Sequence, residues 1–273
     1  MPDSSAVGQS WQGNLTLSYA LQADKTIPSR VQVQAPLKVQ RPFYPEGAVC
    51  HSVMLHTAGG IVGGDRLTVG VELQPQANAL MTTAAATKVY RSTGLESEQD
   101  VMLSLDSGAC LEWLPQETIV FDGAIYRQRL RVDLAAGATW LGWEMTRLGR
   151  TARGERFESG TWRSRIEVWQ AGRLIWVDPQ WIAGGSAMLT SSQGLANCPV
   201  VGSMALVGAE VTPEILEKAR LACPQLGMTR LQSGLLCRYR GDSTAAARVA
   251  FIAIWQLLRP LYLGRSVCLP RVW

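Results

Sequence analysis

The side chains best suited to chemistry are few. His51 and His56 are the only two imidazoles in the chain. Five residues apart on a strand, they point to opposite faces and cannot grip one metal ion together. Cys50 shares a face with His56, but roughly 20 Å of extended chain lies between them. The six cysteines (Cys50, Cys110, Cys198, Cys223, Cys237 and Cys268) are scattered. No Cys-x-x-Cys or His-Glu-x-x-His occurs, so an intrachain zinc site is not expected, while a ligand shared transiently with a partner stays open. Each histidine is expected to be a hydrogen-bonded structural residue. A serine hydrolase needs a Gly-x-Ser-x-Gly elbow, and Gly184-Gly185-Ser186-Ala187-Met188 does not supply one. Cys50 and His51 diverge as strand neighbours and are no catalytic pair. Acid–base work by two carboxylates stays open, because sequence does not give their separation.

The glycine cluster Gly59-Gly60-Ile61-Val62-Gly63-Gly64-Asp65 is followed by Arg66, not by the Lys-Ser/Thr of a phosphate loop. Leu67 to Leu73 then alternates as a strand, where a dinucleotide loop would open a helix. These glycines are expected in a tight turn or a close backbone approach, with Asp65 capping the turn or presenting a carboxylate at a contact surface. Thr82 to Arg91 is rich in small residues suited to close packing. Leu114 to Ala124 holds Glu117 between a strand-stopping Pro115 and an Asp122-Gly123 turn. Arg147, Arg150, Arg153 and Arg156 recur every third residue among Gly149, Gly154, Glu155 and Glu158, which favours a solvated loop with local ion pairs over a nucleic-acid groove.

These residues must be positioned mostly by strands. Period-two alternation marks Val31–Gln34, Leu67–Leu73, Val101–Leu105, Leu130–Leu134 and Arg165–Trp169, each of the last four ending in turn residues. A weak repeat joins three turns: a strand ends in Leu73, Leu105 or Leu134, and small residues lead to Ala77, Ala109 or Ala138 and a further apolar strand. A period of roughly 30 residues lies in the range of repeat architectures. It fits stacked layers, and it also fits a plain sandwich of similar hairpins. Later, Thr212-Pro213-Glu214 opens a helix that Pro224 ends. A second helix is expected from Ser243 to about Arg259, because Pro260 follows.

The chain has 273 residues, 47% hydrophobic and 18% charged, with net charge +4. That reads as one globular domain rather than disorder, and as too weakly basic for a typical nucleic-acid binder. Arginines outnumber the four lysines (Lys25, Lys38, Lys88 and Lys218), which fits interface chemistry or codon bias equally. The start, Met1 to Gly13, lacks an apolar signal core, and the apolar run Ala245–Leu258 is too short to span a bilayer. A cytoplasmic protein with reduced thiols is expected.

Five blocks in order resemble the UreD (UreH) urease accessory family. They are His56-Thr57-Ala58-Gly59-Gly60…Gly63-Gly64-Asp65, Ala85-Ala86-Thr87-Lys88-Val89-Tyr90-Arg91, Glu112-Trp113-Leu114-Pro115-Gln116-Glu117, Gly149-Arg150…Gly154-Glu155, and Leu258-Arg259-Pro260…Gly264-Arg265…Pro270-Arg271-Val272-Trp273. Val272 stands where the family usually has Ile. The resemblance implies a mainly β, layered, β-helix-like stack of strands with a few helices in the last quarter. As one domain over 1–273, it would be strand-rich over 14–207 and helical over 211–259, with a tail over 260–273. It also implies a role in urease maturation without turnover of its own. Such a member binds apo-urease, joins a UreF-like protein and a UreG-like GTPase, and helps deliver nickel to a site whose bridging lysine is carbamylated.

On that reading no cofactor is tightly bound and nickel is in transit, with no nucleic-acid or membrane partner. Weak, exchangeable ligands suit a metal in transit, so Asp65, Glu117, Asp122 and Glu155 are the candidates for a nickel passage or contact surface. Arg259, Tyr262, Arg265, Arg271 and Trp273 are the candidates for a partner interface. A two-carboxylate hydrolase and an RNA- or DNA-binding β protein are the alternatives, marked respectively by a close acidic pair in a polar cleft and by a continuous Arg face with exposed aromatics.

Overall fold

The three repeated turns are stacked on one another. Gln76, Gly108 and Gly137 all have positive φ (62°, 68° and 75°), and each is followed by a fully buried alanine, Ala77, Ala109 or Ala138. The amide of Cys110 donates to the carbonyl of Ala77, and that of Thr139 to Ala109, each at 2.9 Å. A small side chain is needed here because successive turns sit at strand spacing. Glycine takes the left-handed position in two of the three turns, where it carries no Cβ penalty.

The computed structural model describes residues 10–150 and 153–273. Of the polar start Met1–Gly13, residues 1–9 lie outside the described residues, as do residues 151 and 152 of the Arg-rich loop. In chain order, β1 (Gln12–Gln22) and β2 (Lys25–Gln34) form a hairpin, followed by β3 (Leu37–Val39) and β4 (Cys50–His56). Coils then follow. The first is β5 (Arg66–Leu73), β6 (Asn78–Thr83) and β7 (Thr87–Val89), and the second is β8 (Ser97–Leu105), β9 (Cys110–Leu114) and β10 (Thr118–Val120). The third is β11 (Ile125–Leu134) and β12 (Thr139–Leu148). After the hairpin of β13 (Thr161–Gln170) and β14 (Arg173–Ala183) come α1 (Ala187–Thr190), β15 (Val200–Val207) and α2 (Pro213–Ala222). The hairpin of β16 (Gly227–Leu231) and β17 (Gly234–Gly241) and the helix α3 (Thr244–Leu263) complete the chain.

The coils pair in parallel and build two facing sheets. One runs β14-β13-β11-β8-β5-β1-β2, and the other β16-β17-β15-β12-β9-β6-β4-β3. Leu15, Val69, Val101, Leu130 and Ile166 stand in register across the first sheet. Cys50, Ala79, Leu111, Trp140 and Val207 do so across the second. These rows meet between the sheets and make the first core. β7, β10 and the end of β12 form a short third side, with Val89, Val120 and Leu148 turned inward. The layered, mainly β architecture of stacked coils is therefore the one expected.

A second core lies on the other face of the second sheet, under α2 and α3. Trp143 packs against Phe251, Trp255 and Trp273 there, with ring centroids 5.3–6.1 Å apart. Helix α2 begins as the sequence indicates, with the Thr212 hydroxyl accepting from the amide of Ile215. Three boundaries differ from expectation. The strands begin at Gln12, and the region 211–259 is not uniformly helical, because the β16–β17 hairpin extends the second sheet there. Helix α3 also runs through Pro260 to Leu263 and closes at Gly264 (φ 64°), whose amide donates to the Pro260 carbonyl at 3.1 Å. Pro260 lies in the last turn, where one missing intrahelical donor costs least, and side chains on either side of it are anchored (below). At 20 residues, α3 is long and apolar enough to cross a membrane by length and composition. Its Phe251, Ile254, Trp255 and Leu258 are instead buried against the second sheet.

Candidate functional site

Two places in the molecule gather buried charge. The first is under α3. Arg259 is wholly buried, and its guanidinium reaches Glu46 (Nη1 to Oε2 2.6 Å, Nη2 to Oε1 2.8 Å) and Glu112 (Nε to Oε1 2.9 Å, Nη2 to Oε2 3.0 Å). It also donates to the Ser266 carbonyl. Glu112 Oε1 accepts from the Trp255 indole and the Tyr262 hydroxyl, both at 2.6 Å. His51 Nε2 lies 2.7 Å from Glu46 Oε1. Burial works to raise the pKa of Glu46, but hydrogen bonds from His51 and Arg259 outweigh it and hold the carboxyl at about 2. The same two carboxylates push the Arg259 pKa up against the pull of burial.

Arg259 therefore cannot itself meet a partner, contrary to expectation. It is a charged residue, ordinarily exposed, that is buried because two carboxylates and the Ser266 carbonyl meet its donors. Tyr262 is turned to the same network. Trp273 is half-buried and donates to the Thr82 hydroxyl at 2.9 Å. Arg265, which donates to the Glu46 carbonyl, and Arg271, stacked over Phe43, are the exposed members of the set.

The four carboxylates singled out from sequence fall at three places. Asp65 is fully buried and caps the glycine turn, its two oxygens accepting from the amides of Trp11 (2.8 Å) and Val62 (2.9 Å). Asp122 and Glu155 come together: the Asp122 amide donates to Glu155 Oε1, while the Asp122 carboxylate takes the amides of Glu158 and Ser159 and the Arg91 guanidinium. Burial opposes ionisation of Asp122, but those donors hold its pKa below the usual carboxylate range. Arg150 does the same for Glu155. Glu117 pairs with Arg248 of α3 at 2.5 Å. Of the histidines, His51 is bonded as expected, whereas both ring nitrogens of His56 are buried without a hydrogen-bond partner among the described residues.

The second place lies between the sheets, and sequence reasoning missed it. Glu144 of β12 projects toward the first sheet, where Gln128 (2.8 Å) and Ser164 (2.9 Å) donate to its Oε2. Nearby, Asp178 of β14 accepts from Ser203 (3.1 Å) and Gln180 (3.2 Å) on one oxygen and from Arg238 (2.8 Å) on the other. Burial pushes the pKa of Glu144 up to about 7, and the neighbouring Asp178 adds to the rise against the pull of the Ser164 and Gln128 hydrogen bonds. A cavity of about 50 Å³ adjoins Glu144, lined also by Thr83, Thr87, Gln99, Gln116 and Thr118. Of the lining residues Thr83 is half-buried and Gln116 buried, and the Gln116 amide donates to the Thr83 hydroxyl at 2.9 Å. Beside Asp178 the Arg238 side chain is 42% exposed. The signal in the sequence was a lone acid inside the apolar run Trp140-Leu141-Gly142-Trp143-Glu144-Met145 and another inside Leu174-Ile175-Trp176-Val177-Asp178.

The strip contains carboxylate, amide and hydroxyl groups, with Arg238 on Asp178 and Arg129 beside the cavity, and among the described residues that line the cavity there is no thiol or imidazole. Among the described residues no three His, Cys, Asp or Glu side chains are gathered as a metal-binding set. Fold and site together define a helix-faced β-solenoid with a polar strip between its sheets and a buried charge network beneath one helix. The chain belongs to the UreD urease accessory protein family, whose model matches residues 12–273. It is 56% identical to the urease accessory protein UreD of Nostoc sp. strain PCC 7120, over 100% of this chain and 99% of that one. It is 56% identical to that of Nostoc punctiforme (98% of each chain) and 40% identical to that of Dechloromonas aromatica (97% and 94%). The role that this family defines is in urease maturation.

Proposed function

We propose that this protein acts in urease maturation as a non-enzymatic scaffold. It binds apo-urease, joins a UreF-like protein and a UreG-like GTPase, and passes nickel, the cargo, toward the urease active site. The observation that supports this reading is the inter-sheet strip. Its oxygen ligands are harder than thiolate or imidazole and hold a divalent ion loosely enough to release it. Glu144 and Asp178 are the carboxylates that nickel would meet within the body of the protein. Asp65, Asp122 and Glu155 hold turns with their oxygens, and of the four expected residues Glu117 is next in sequence to Gln116, which lines the cavity.

At Glu144 and Asp178 the hydrolase alternative loses weight because about 50 Å³ beside Glu144 suits a water or an ion, whereas small-molecule sites occupy roughly 300–1,000 Å³. The nucleic-acid alternative loses weight on the outer face of the first sheet. Arg127, Arg129, Arg131 and Arg165 are each tied there to a neighbouring carboxylate.

The test is a pair of variants assayed for urease activity, nickel bound to urease, and pull-down of the complex. Glu144→Gln with Asp178→Asn should lower nickel in urease while the complex still assembles. The set Asp65→Ala, Glu117→Ala, Asp122→Ala and Glu155→Ala serves as comparator. Full nickel loading with the Glu144/Asp178 variant would remove the passage from the proposal and leave the scaffold.

A further inference from the structure

The short third side of the solenoid carries a cluster of cations that neither the fold nor the inter-sheet strip requires. β7, β10 and the end of β12 place Lys88, Ile119 and Arg147 in register as direct neighbours, opposite in direction to the buried Val89, Val120 and Leu148. Arg91 and Arg150 flank this row, Arg91 through Asp122 and Arg150 over the Phe121 ring at 4.4 Å. The loop after β12 returns beside them, its Arg153 amide bonded to the Arg150 carbonyl and its Arg156 backbone against Gly149.

Lys88, Arg153 and Arg156 are exposed and pair with no carboxylate among the described residues. Asp122 and Glu155 are already engaged by Arg91 and Arg150. The result is a half-buried apolar centre, Ile119 and Tyr90, ringed by cations in excess of their partners. An apolar centre with a charged rim is the anatomy of a protein–protein contact.

We infer that this third side docks an acidic surface of a protein partner. Charge complementarity selects that partner, and two features disfavour a nucleic acid. The rings that could stack bases are occupied: Tyr90 and Phe121 pack edge to face at 5.0 Å, and Arg150 covers Phe121. Asp122, Glu155 and Glu158 also stand among the cations, where a continuous phosphate backbone would meet them. A protein surface can place its own cations opposite these acids. The inference rests on the maturation reading only for the identity of the partner.

The full-length chain is tested against three probes: apo-urease, a poly-glutamate peptide, and poly-U RNA of matched charge. The variant is Lys88→Glu with Arg153→Glu, and the control is Arg163→Glu on the outer face of the first sheet, with folding of both checked by circular dichroism melts. The expected result is that the double variant weakens apo-urease and poly-glutamate binding at least about tenfold at low salt, mainly through the association rate, while the control leaves both unchanged. Raising salt should erase most of the difference between variant and wild type. Equal binding of wild type and variant to both acidic probes overturns the inference. So does failure of the wild type to bind either acidic probe, or tighter binding of poly-U than of poly-glutamate. If the wild type binds poly-glutamate, the variant loses it and apo-urease is bound by neither, the acidic-docking surface stands and apo-urease as the partner falls.

Discussion

The two buried charge clusters answer the same physical problem in opposite ways. Beneath α3, Arg259 is matched by Glu46 and Glu112, and Trp255, Tyr262 and His51 take up remaining sites on those carboxylates. Between the sheets, Glu144 receives hydrogen bonds from the neutral Gln128 and Ser164 alone among the described residues, adjoins a small cavity and has its pKa raised by burial to about 7. A fully matched cluster fixes geometry, because any motion strands a charge in a low-dielectric site. A cluster with spare lone pairs and space can exchange a proton or an ion. The difference teaches that burial of charge is not one signal: the completeness of partnering separates an anchor from a conduit.

The largest effect should come from breaking the anchor. Arg259→Ala leaves Glu46 and Glu112 buried without their cation, and a loss of about 3–5 kcal/mol in unfolding free energy is expected from urea denaturation. A loss below about 1 kcal/mol would mean that the network is solvated and does not hold α3. Arg259→Lys should fall between, since an ammonium cannot match both carboxylates with a planar fork.

A smaller, pH-dependent effect should sharpen the other side of the comparison. The pKa of Glu144 is raised from the ordinary 4.5 to about 7 in the folded state, so the folded protein holds this proton longer than the unfolded chain. Its contribution to stability is complete below about pH 4.5 and is lost as pH rises through 7. Glu144→Gln, neutral throughout, should therefore gain on the wild type by about 2–3 kcal/mol between pH 5 and pH 8. Thermal melts across that range measure it, and a difference that does not change with pH would show that Glu144 titrates normally. The smallest effect belongs to Glu117→Ala. It removes a partly exposed pair with Arg248 and should cost about 1 kcal/mol or less, read in the same urea experiment.

Much of the layered body was legible in residues near one another in sequence. Leu73 to Ala77, Leu105 to Ala109 and Leu134 to Ala138 each encode a complete local event: a strand end, a left-handed turn position and a small residue beneath the next coil. The start of α2 was legible for the same reason, since Thr212, Pro213 and Glu214 act on the turn that they begin. Asp65 as a turn cap was within reach because its amide partner at Val62 is three residues away. The charge clusters were not legible. Arg259 reads as a surface residue until Glu46 and Glu112 arrive from distant strands. Glu144 and Asp178 reach their shared strip from opposite sheets, so no local pattern joins them. Pro260 misled for a related reason, since tertiary anchoring of Arg259 and Tyr262 carries the helix past a residue that by local rules should stop it.

The pairing of Glu46 with Arg259 spans 213 residues, and this sets an order of events during synthesis. The coils can assemble as they leave the ribosome, since each bonds chiefly to the one before it. The second sheet, however, keeps its outer apolar rows (Leu80, Leu114, Leu141, Trp143) bare until α3 has been made. Late in synthesis a nascent chain of this protein therefore carries a nearly finished scaffold with one sticky side. That interval is when binding by a chaperone or by another protein would matter most, and slowing translation just before codon 244 should lengthen it.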